Sequence, residues 1–322
     1  MNEALVVANF DNRVARREGR RQFFRAAGLL AGGAAGVMAL NAGGAGLTAS
    51  ALAATPAVSD GDILNFALNL EYLEAQFYSF ATTGHGLPDN LLTGTGKVGQ
   101  VLGGAKVPFT DKVVKAYASE IARDEMEHVA FLRSALGSYA VSQPTLDIGG
   151  QNPYGAFSTA ARAAGLVGAG QAFNPYADDI SFLLGAFIFE DVGVTAYKGA
   201  APLITSKVYL EAAAGILAAE AYHASLIRTT LFQKGQAAPS IIFKTNQISM
   251  ARDSLDGPSD DDQGITLDTK VNIFPGDSNG LAFGRTTGQV LNVVYLNPNV
   301  VMRGGFFPGG VNGVINTSAA SA

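Results

Sequence analysis

The chain of 322 residues contains no cysteine. Disulfides, thiolate metal sites and cysteine nucleophiles are therefore excluded, and any bound metal must be held by oxygen and imidazole. Charge is also sparse, at 15% of residues against 48% hydrophobic. The net charge is −5 and no basic stripe occurs beyond the N-terminus, which argues against a nucleic-acid partner. Histidine is nearly as scarce as cysteine, with three in the whole chain. Two of the three end a Glu-x-x-His step: Glu125-Met126-Glu127-His128 and Glu220-Ala221-Tyr222-His223. The chain has only ten glutamates, so this coincidence is hard to assign to chance. Positions i and i+3 share a face of a helix, so each step aims a carboxylate and an imidazole at one point.

The N-terminus reads as an export signal over residues 1–54. Arg13, Arg16, Arg17, Arg20, Arg21 and Arg25 outweigh Glu3, Asp11 and Glu18, and no charge follows from Ala26 to Ala54. Ala51-Leu52-Ala53 supplies small residues for cleavage. Gly19-Arg20-Arg21-Gln22-Phe23-Phe24-Arg25 resembles a twin-arginine signal. That route implies the twin-arginine export machinery as a partner and a periplasmic or extracellular destination for a protein exported folded. The alternative is an uncleaved membrane anchor, since the uncharged run exceeds the ~20 residues a span needs. Its glycines, Asn41 and Thr48 make a poor lipid-facing helix.

Hydrophobic spacing predicts an all-α domain over 58–235. A first helix runs from about Asp60 to Phe80, capped by Ser59 or Asp60, with Ile63, Phe66, Leu70, Leu73 and Phe77 on its apolar side. A second starts after Thr110, with Asp111 in its first turn, and stops at Gly137. Its stripe is Val113, Val114, Tyr117, Ile121, Val129, Leu132 and Leu136. A long crossover, holding a short helix near Ala156–Ala164, leads to a third helix over about Ala177–Lys198. This one is apolar on most sides, as suits a buried helix or the interface of a homo-oligomer. A fourth spans about Ser206–Lys234, with Gly235 just beyond. Residues 236–322 are rich in Gly, Asn, Asp and Pro and read as an irregular extension packed on the bundle. Asp260-Asp261-Asp262 reads as a solvated acidic turn, His85 as an exposed loop residue, and Glu120, Glu127 and Glu211 as solvated.

The four long helices repeat as two pairs. Glu71 precedes Tyr78 by seven residues, as Glu190 precedes Tyr197. His128 precedes Arg133 by five, as His223 precedes Arg228. The acidic residues lie at similar depths in their helices, within roughly 6 Å of one level at ~1.5 Å per residue. Glu71, Glu125, His128, Glu190, Glu220 and His223 are thus candidate ligands of two metal ions. Four carboxylates offset two divalent charges, and oxygen with imidazole suits iron or manganese. Glu74, one turn beyond Glu71, is a supporting or salt-bridged residue. Tyr78 and Tyr197 are placed beside the ligands or in aromatic packing. Arg133 and Arg228 are expected to pair with carboxylates behind the ligands or to cap the metal layer.

This pattern, Glu then Glu-x-x-His, twice, is the general signature of ferritin-like di-iron and di-manganese carboxylate bundles. The stretch from Asn65 to Tyr78, NFALNLEYLEAQFY, resembles the first helix of exported ferritin-like domain proteins, which include the desiccation-related proteins. Glu125 to Arg133, EMEHVAFLR, resembles their second. The resemblance covers about residues 58–310 and extends to Ala251-Arg252-Asp253 and Gly304-Gly305-Phe306-Phe307-Pro308. It implies a ferritin-like antiparallel four-helix bundle with two iron ions (or manganese), bridged by Glu125 and Glu220 and capped by the other four ligands. The two long insertions and the tail depart from storage ferritins, so cage assembly is not implied. Two functions follow as expectations. One is an oxidase, peroxidase or manganese-catalase-like protein acting on peroxide or dioxygen. The other is a stress protein whose metal site is structural or vestigial.

Overall fold

A computed structural model describes residues 58–321, so the expected signal over 1–54 lies outside the described residues. The helices are α1 Asp60–Thr83, α2 Lys112–Leu136, α3 Ala156–Ala163, α4 Asp179–Ala200, α5 Lys207–Ala237, α6 Ser240–Asp256 and α7 Thr287–Tyr295. The four long helices α1, α2, α4 and α5 form the expected bundle. Its two hairpins are α1 on α2 and α4 on α5, and they meet through α1 against α4 and α2 against α5. The long crossover carries α3 and a short strand, Leu146–Asp147, that pairs in parallel with Val101–Leu102 from the loop after α1.

Side chains at the helix starts fix where each begins. Ser59 and Asp62 form a reciprocal capping box on α1, and Gly84 ends that helix at φ +85°, in the left-handed region that glycine tolerates. Asp111 lies outside the first turn and is the N-cap of α2, accepting from Val113 N at 2.8 Å. Asp178 and Ser206 cap α4 and α5 in the same way. Buried Asp179 accepts from Thr110 Oγ1 at 2.5 Å, tying the start of α4 to the start of α2.

Burial divides the bundle into two inner and two outer helices. α1 and α4 are buried on nearly every side, whereas α2 and α5 bury one face. Asp179–Leu203 is long and apolar enough to cross a membrane, but it is mostly buried inside this chain. Its apolar character is that of a core helix. On α2 the expected stripe holds from Val114 onward, while Val113, in the first turn, is 54% exposed.

The sequence expectation fails mainly after residue 234. α5 continues through Gly235 to Ala237. A Cβ at Gly235 would lie 2.4 Å from the Ile242 side chain, so this glycine permits close approach of α6 instead of ending α5. The extension contains two helices. Those of α6 bury Thr245, Ser249, Arg252 and Asp256 beside Ile241 and Ile248, and buried polar residues blur an apolar stripe. The extension also completes the core. Phe306 lies at centroid distances of 4.9 Å from Phe189 and 5.1 Å from Phe157. These rings join Phe77 and Phe182 in one aromatic cluster at the heart of the bundle.

Candidate metal centre

The six proposed ligands converge at mid-bundle. Glu71 comes from α1, Glu125 and His128 from α2, Glu190 from α4, and Glu220 and His223 from α5. One donor from each of Glu71, Glu125, His128 and Glu220 lies within 4.8 Å of the others, and the same holds for Glu190, Glu220 and His223. His128 Nδ1 is 3.1 Å from Glu71 Oε2, 3.5 Å from Glu220 Oε1 and 3.7 Å from Glu125 Oε2. His223 Nδ1 is 3.0 Å from Glu125 Oε1 and 3.7 Å from Glu190 Oε2. The imidazole centroids are 6.2 Å apart. Glu220 joins both groups, and Glu125 approaches both imidazoles. These two therefore lie between the two histidines.

All four carboxylates are at most 3% exposed. Both oxygens of Glu125, both of Glu220, Glu190 Oε2 and His223 Nδ1 are buried without a hydrogen-bond partner. The 3.0 Å approach of His223 to Glu125 is an electrostatic contact lacking hydrogen-bond geometry. Buried polar atoms are normally paired, and a cluster of unpaired acceptors around one point is what a pair of cations would satisfy. The donor set, all carboxylate and imidazole, fits iron or manganese.

Electrostatics agree. Burial first, then repulsion among neighbouring carboxylates, pushes Glu71 up to about 8 and raises Glu220 and Glu190, with the two histidines opposing. Burial also acts to raise Glu125, but His128 and His223 outweigh it and hold Glu125 below the usual range. Burial acts to lower both histidines. Glu71 and Glu125 overcome it at His128, and Asp124, Glu125 and Glu190 push His223 up to about 12. Burial and crowding thus favour the protonated forms of Glu71, Glu190 and Glu220.

The tyrosines cross between repeats. Tyr78 on α1 donates to Glu190 on α4, and Tyr197 on α4 donates to Glu71 on α1. Each hydroxyl therefore fixes the glutamate of the opposite pair rather than the one on its own helix. Glu74 is 6% exposed and makes no ion pair among the described residues, which corrects the salt-bridged alternative. Neither arginine touches the six ligands. Arg133 donates to Tyr72 Oη at 2.6 Å and to loop carbonyls of Asn90 and Thr93, and among the described residues it pairs with no carboxylate. Arg228 is fully buried and donates to Asp191 at 2.7 Å and to the carbonyls of Gly264 and Asn272.

Three features escaped sequence reasoning. Asp124 Oδ2 lies 3.4 Å from His223 Nε2, behind the imidazole. Its side chain sits one residue before Glu125, off the Glu-x-x-His face, and its repeat equivalent is Ala219. Gly193 occupies the place that Glu74 holds in the first repeat, and only alignment of the two repeats could have singled it out. The third is a buried network. Arg252 bridges Asp191 at 2.9 Å and Asp262 at 2.7 Å, and Arg285 bridges Asp262 at 2.9 Å and Asp256. Asp262 is 7% exposed, so the expected solvated acidic turn is in part an interior anchor. His85 and Glu211 are exposed as expected.

Comparison with known proteins agrees with this geometry. The family described as ferritin-like domain matches residues 59–233. The desiccation-related protein PCC13-62 of Craterostigma plantagineum is 31% identical over 72% of this chain and 76% of its own length. The ferritin-like catalase Nec2 of Nesocodon mauritianus is 28% identical over 80% of this chain and 85% of its own length.

Proposed function

Because this chain belongs to the ferritin-like domain family, we propose that it is an exported, stress-protective di-metal protein that consumes peroxide. The observation that carries this is the buried cluster of six donors with most of its acceptor oxygens unpaired. The names of the two relatives described above, one desiccation-related and one a catalase, favour the same role. Bound as a pair, iron or manganese would supply the electron storage that O–O bond cleavage requires.

The chain's own residues set the conditions. Glu125 and Glu220 lie between the two histidine positions, and Glu71 and Glu190 sit at the ends. Tyr78 and Tyr197 orient the end carboxylates by hydrogen bonds. Asp124 accepts at His223 Nε2 and so favours the tautomer whose Nδ1 faces the cluster. The ligand carboxylates are buried, and a low-dielectric setting strengthens electrostatic contacts inside it. His128 is 12% exposed and marks the side nearest solvent.

The test is peroxide consumption with oxygen evolution by the metal-loaded protein. Two peroxides giving two waters and one dioxygen supports catalase-type turnover. Loaded protein without peroxide or dioxygen consumption would leave the non-catalytic reading, with the metal site structural. Export is tested by fractionation of cells producing the full chain and its Arg20→Lys/Arg21→Lys variant. The wild type is expected outside the cytoplasm and the variant inside.

A further inference from the structure

The two halves of the centre differ outside the six ligands. Glu71, Glu125, His128 and Glu220 form one group and Glu190, Glu220 and His223 the other, with Glu125 Oε1 also 3.0 Å from His223 Nδ1. The sequence repeat that relates Glu71 to Glu190 and Tyr78 to Tyr197 also relates Glu74 to Gly193. The first repeat thus carries an additional carboxylate where the second carries no side chain.

The glycine makes room for that carboxylate. A Cβ at Gly193 would lie 2.5 Å from Glu220 Oε2 and 3.4 Å from Glu74 Oε1, so the two oxygens flank one point. Glu74 is 6% exposed, and its Oε2 is buried with no hydrogen-bond partner. After burial itself, Glu220 repels it most, followed by Glu125, Glu190 and Glu71, and together these raise its carboxyl well above the usual range. A cavity of about 10 Å³ adjoins it, lined in part by Leu70, Leu73, Phe189, Val192 and Gly193. That is about the space one water needs, which gives the carboxylate slack to shift.

An unpaired carboxylate amid other carboxylates has no stabilising role in the apolar interior, where an unpaired polar group is costly. It does have a role if a cation sits beside Glu220. We infer that Glu74 is a seventh ligand, completing the position formed by Glu190, Glu220 and His223 and making the two metal positions inequivalent. This rests on the metal-centre reading above.

The experiment titrates metal-free wild type, Glu74→Gln and Glu74→Ala with Mn(II), following heat and bound metal by calorimetry and equilibrium dialysis. Glutamine keeps the shape and removes the buried acid, so the metal-free Glu74→Gln protein should melt at or above the wild-type temperature. The wild type should bind two ions in distinguishable steps. In Glu74→Gln one step should be retained and the other weakened at least about tenfold, in line with the effect of altering a group that supports a metal. Two wild-type steps in a folded Glu74→Gln protein would overturn the inference while leaving the metal centre intact. Equal weakening of both steps would overturn the assignment to one position. Failure of the wild type to bind Mn(II) or Fe(II) would instead overturn the underlying metal reading.

Discussion

Replacing Arg285 with methionine tests whether the C-terminal extension is part of the bundle's own core. Arg285 is 1% exposed and its guanidinium contacts Asp256, Asp262 and the Thr195 hydroxyl, the last at 2.9 Å. Its backbone N–H also donates to the Thr195 carbonyl on α4 at 3.0 Å. Loss of the guanidinium leaves Asp262 with Arg252 but removes the only cation paired with Asp256 among the described residues, and Asp256 Oδ1 is already unpaired. Breaking a buried pair from one side costs about 3–5 kcal/mol. At about 2–4 °C per kcal/mol for a domain near this size, the melting temperature should fall by roughly 10 °C. The sign with pH is fixed by Asp256. Burial already raises its carboxyl and Arg285 opposes that. Without Arg285 the folded-state value rises further above the unfolded one. The folded state then binds protons that the unfolded state releases, so stability is lost as pH rises. The defect should be larger at pH 8 than at pH 5. Adding Asp256→Leu should restore part of the loss, since an apolar replacement of a buried pair is often tolerated. A thermal melt within 2 °C of wild type at pH 8, with no pH dependence of the difference, would refute the reasoning.

Other consequences are equally direct. Tyr78→Phe or Tyr197→Phe removes one hydrogen bond to an end carboxylate and should weaken Mn(II) binding about tenfold, near the ~1.5 kcal/mol of a bond to a charged group; calorimetry reads this, and unchanged binding in both would remove the tyrosines from the centre. Gly193→Ala should sharply lower bound metal, because the new methyl meets Glu220 at 2.5 Å. Gly215→Ala, on the open side of α5 with nothing within 4 Å, should keep full metal content and gain about 0.5–1 kcal/mol in urea unfolding. Asp253, pushed up to about 6 by burial and then by Asp256, Asp260 and Asp262, weakens the fold as pH climbs through about 4 to 6. Asp253→Asn should therefore melt higher than wild type at pH 7.5 and equally at pH 4; a lower melt at pH 7.5 would contradict this assignment.

The centre was legible in the sequence because its ligands sit on long helices with strict spacing. The i,i+3 steps and the repeated seven-residue Glu-to-Tyr interval survive folding as geometry. Direction across the bundle was not legible: each interval places a tyrosine on the face of its own glutamate, whereas packing delivers it to the glutamate of the other pair. Of the arginines, only Arg133 departs. Arg133 and Arg228 repeat faithfully in sequence, yet Arg228 pairs with Asp191 beside Glu190, as expected, while Arg133 turns to Tyr72 and a loop. The extension was least legible. Its anchors Arg252, Asp256, Asp262 and Arg285 are charged residues that look solvated in a linear reading. Only their pairing with one another and with Asp191 permits burial, and that pairing joins residues separated by up to 61 positions. Gly235 and Gly193 likewise look like flexible punctuation but mark close approaches that depend on tertiary neighbours.

The central claim is that four buried glutamates and two histidines hold two metal ions. The most direct measurement is metal analysis of the protein purified from cells supplied with iron and manganese, beside the His128→Ala/His223→Ala variant. The account predicts about two ions per chain in the wild type and far fewer in a variant that remains helical by circular dichroism. A folded wild type that carries no iron or manganese, and takes up neither when it is added back, would contradict it.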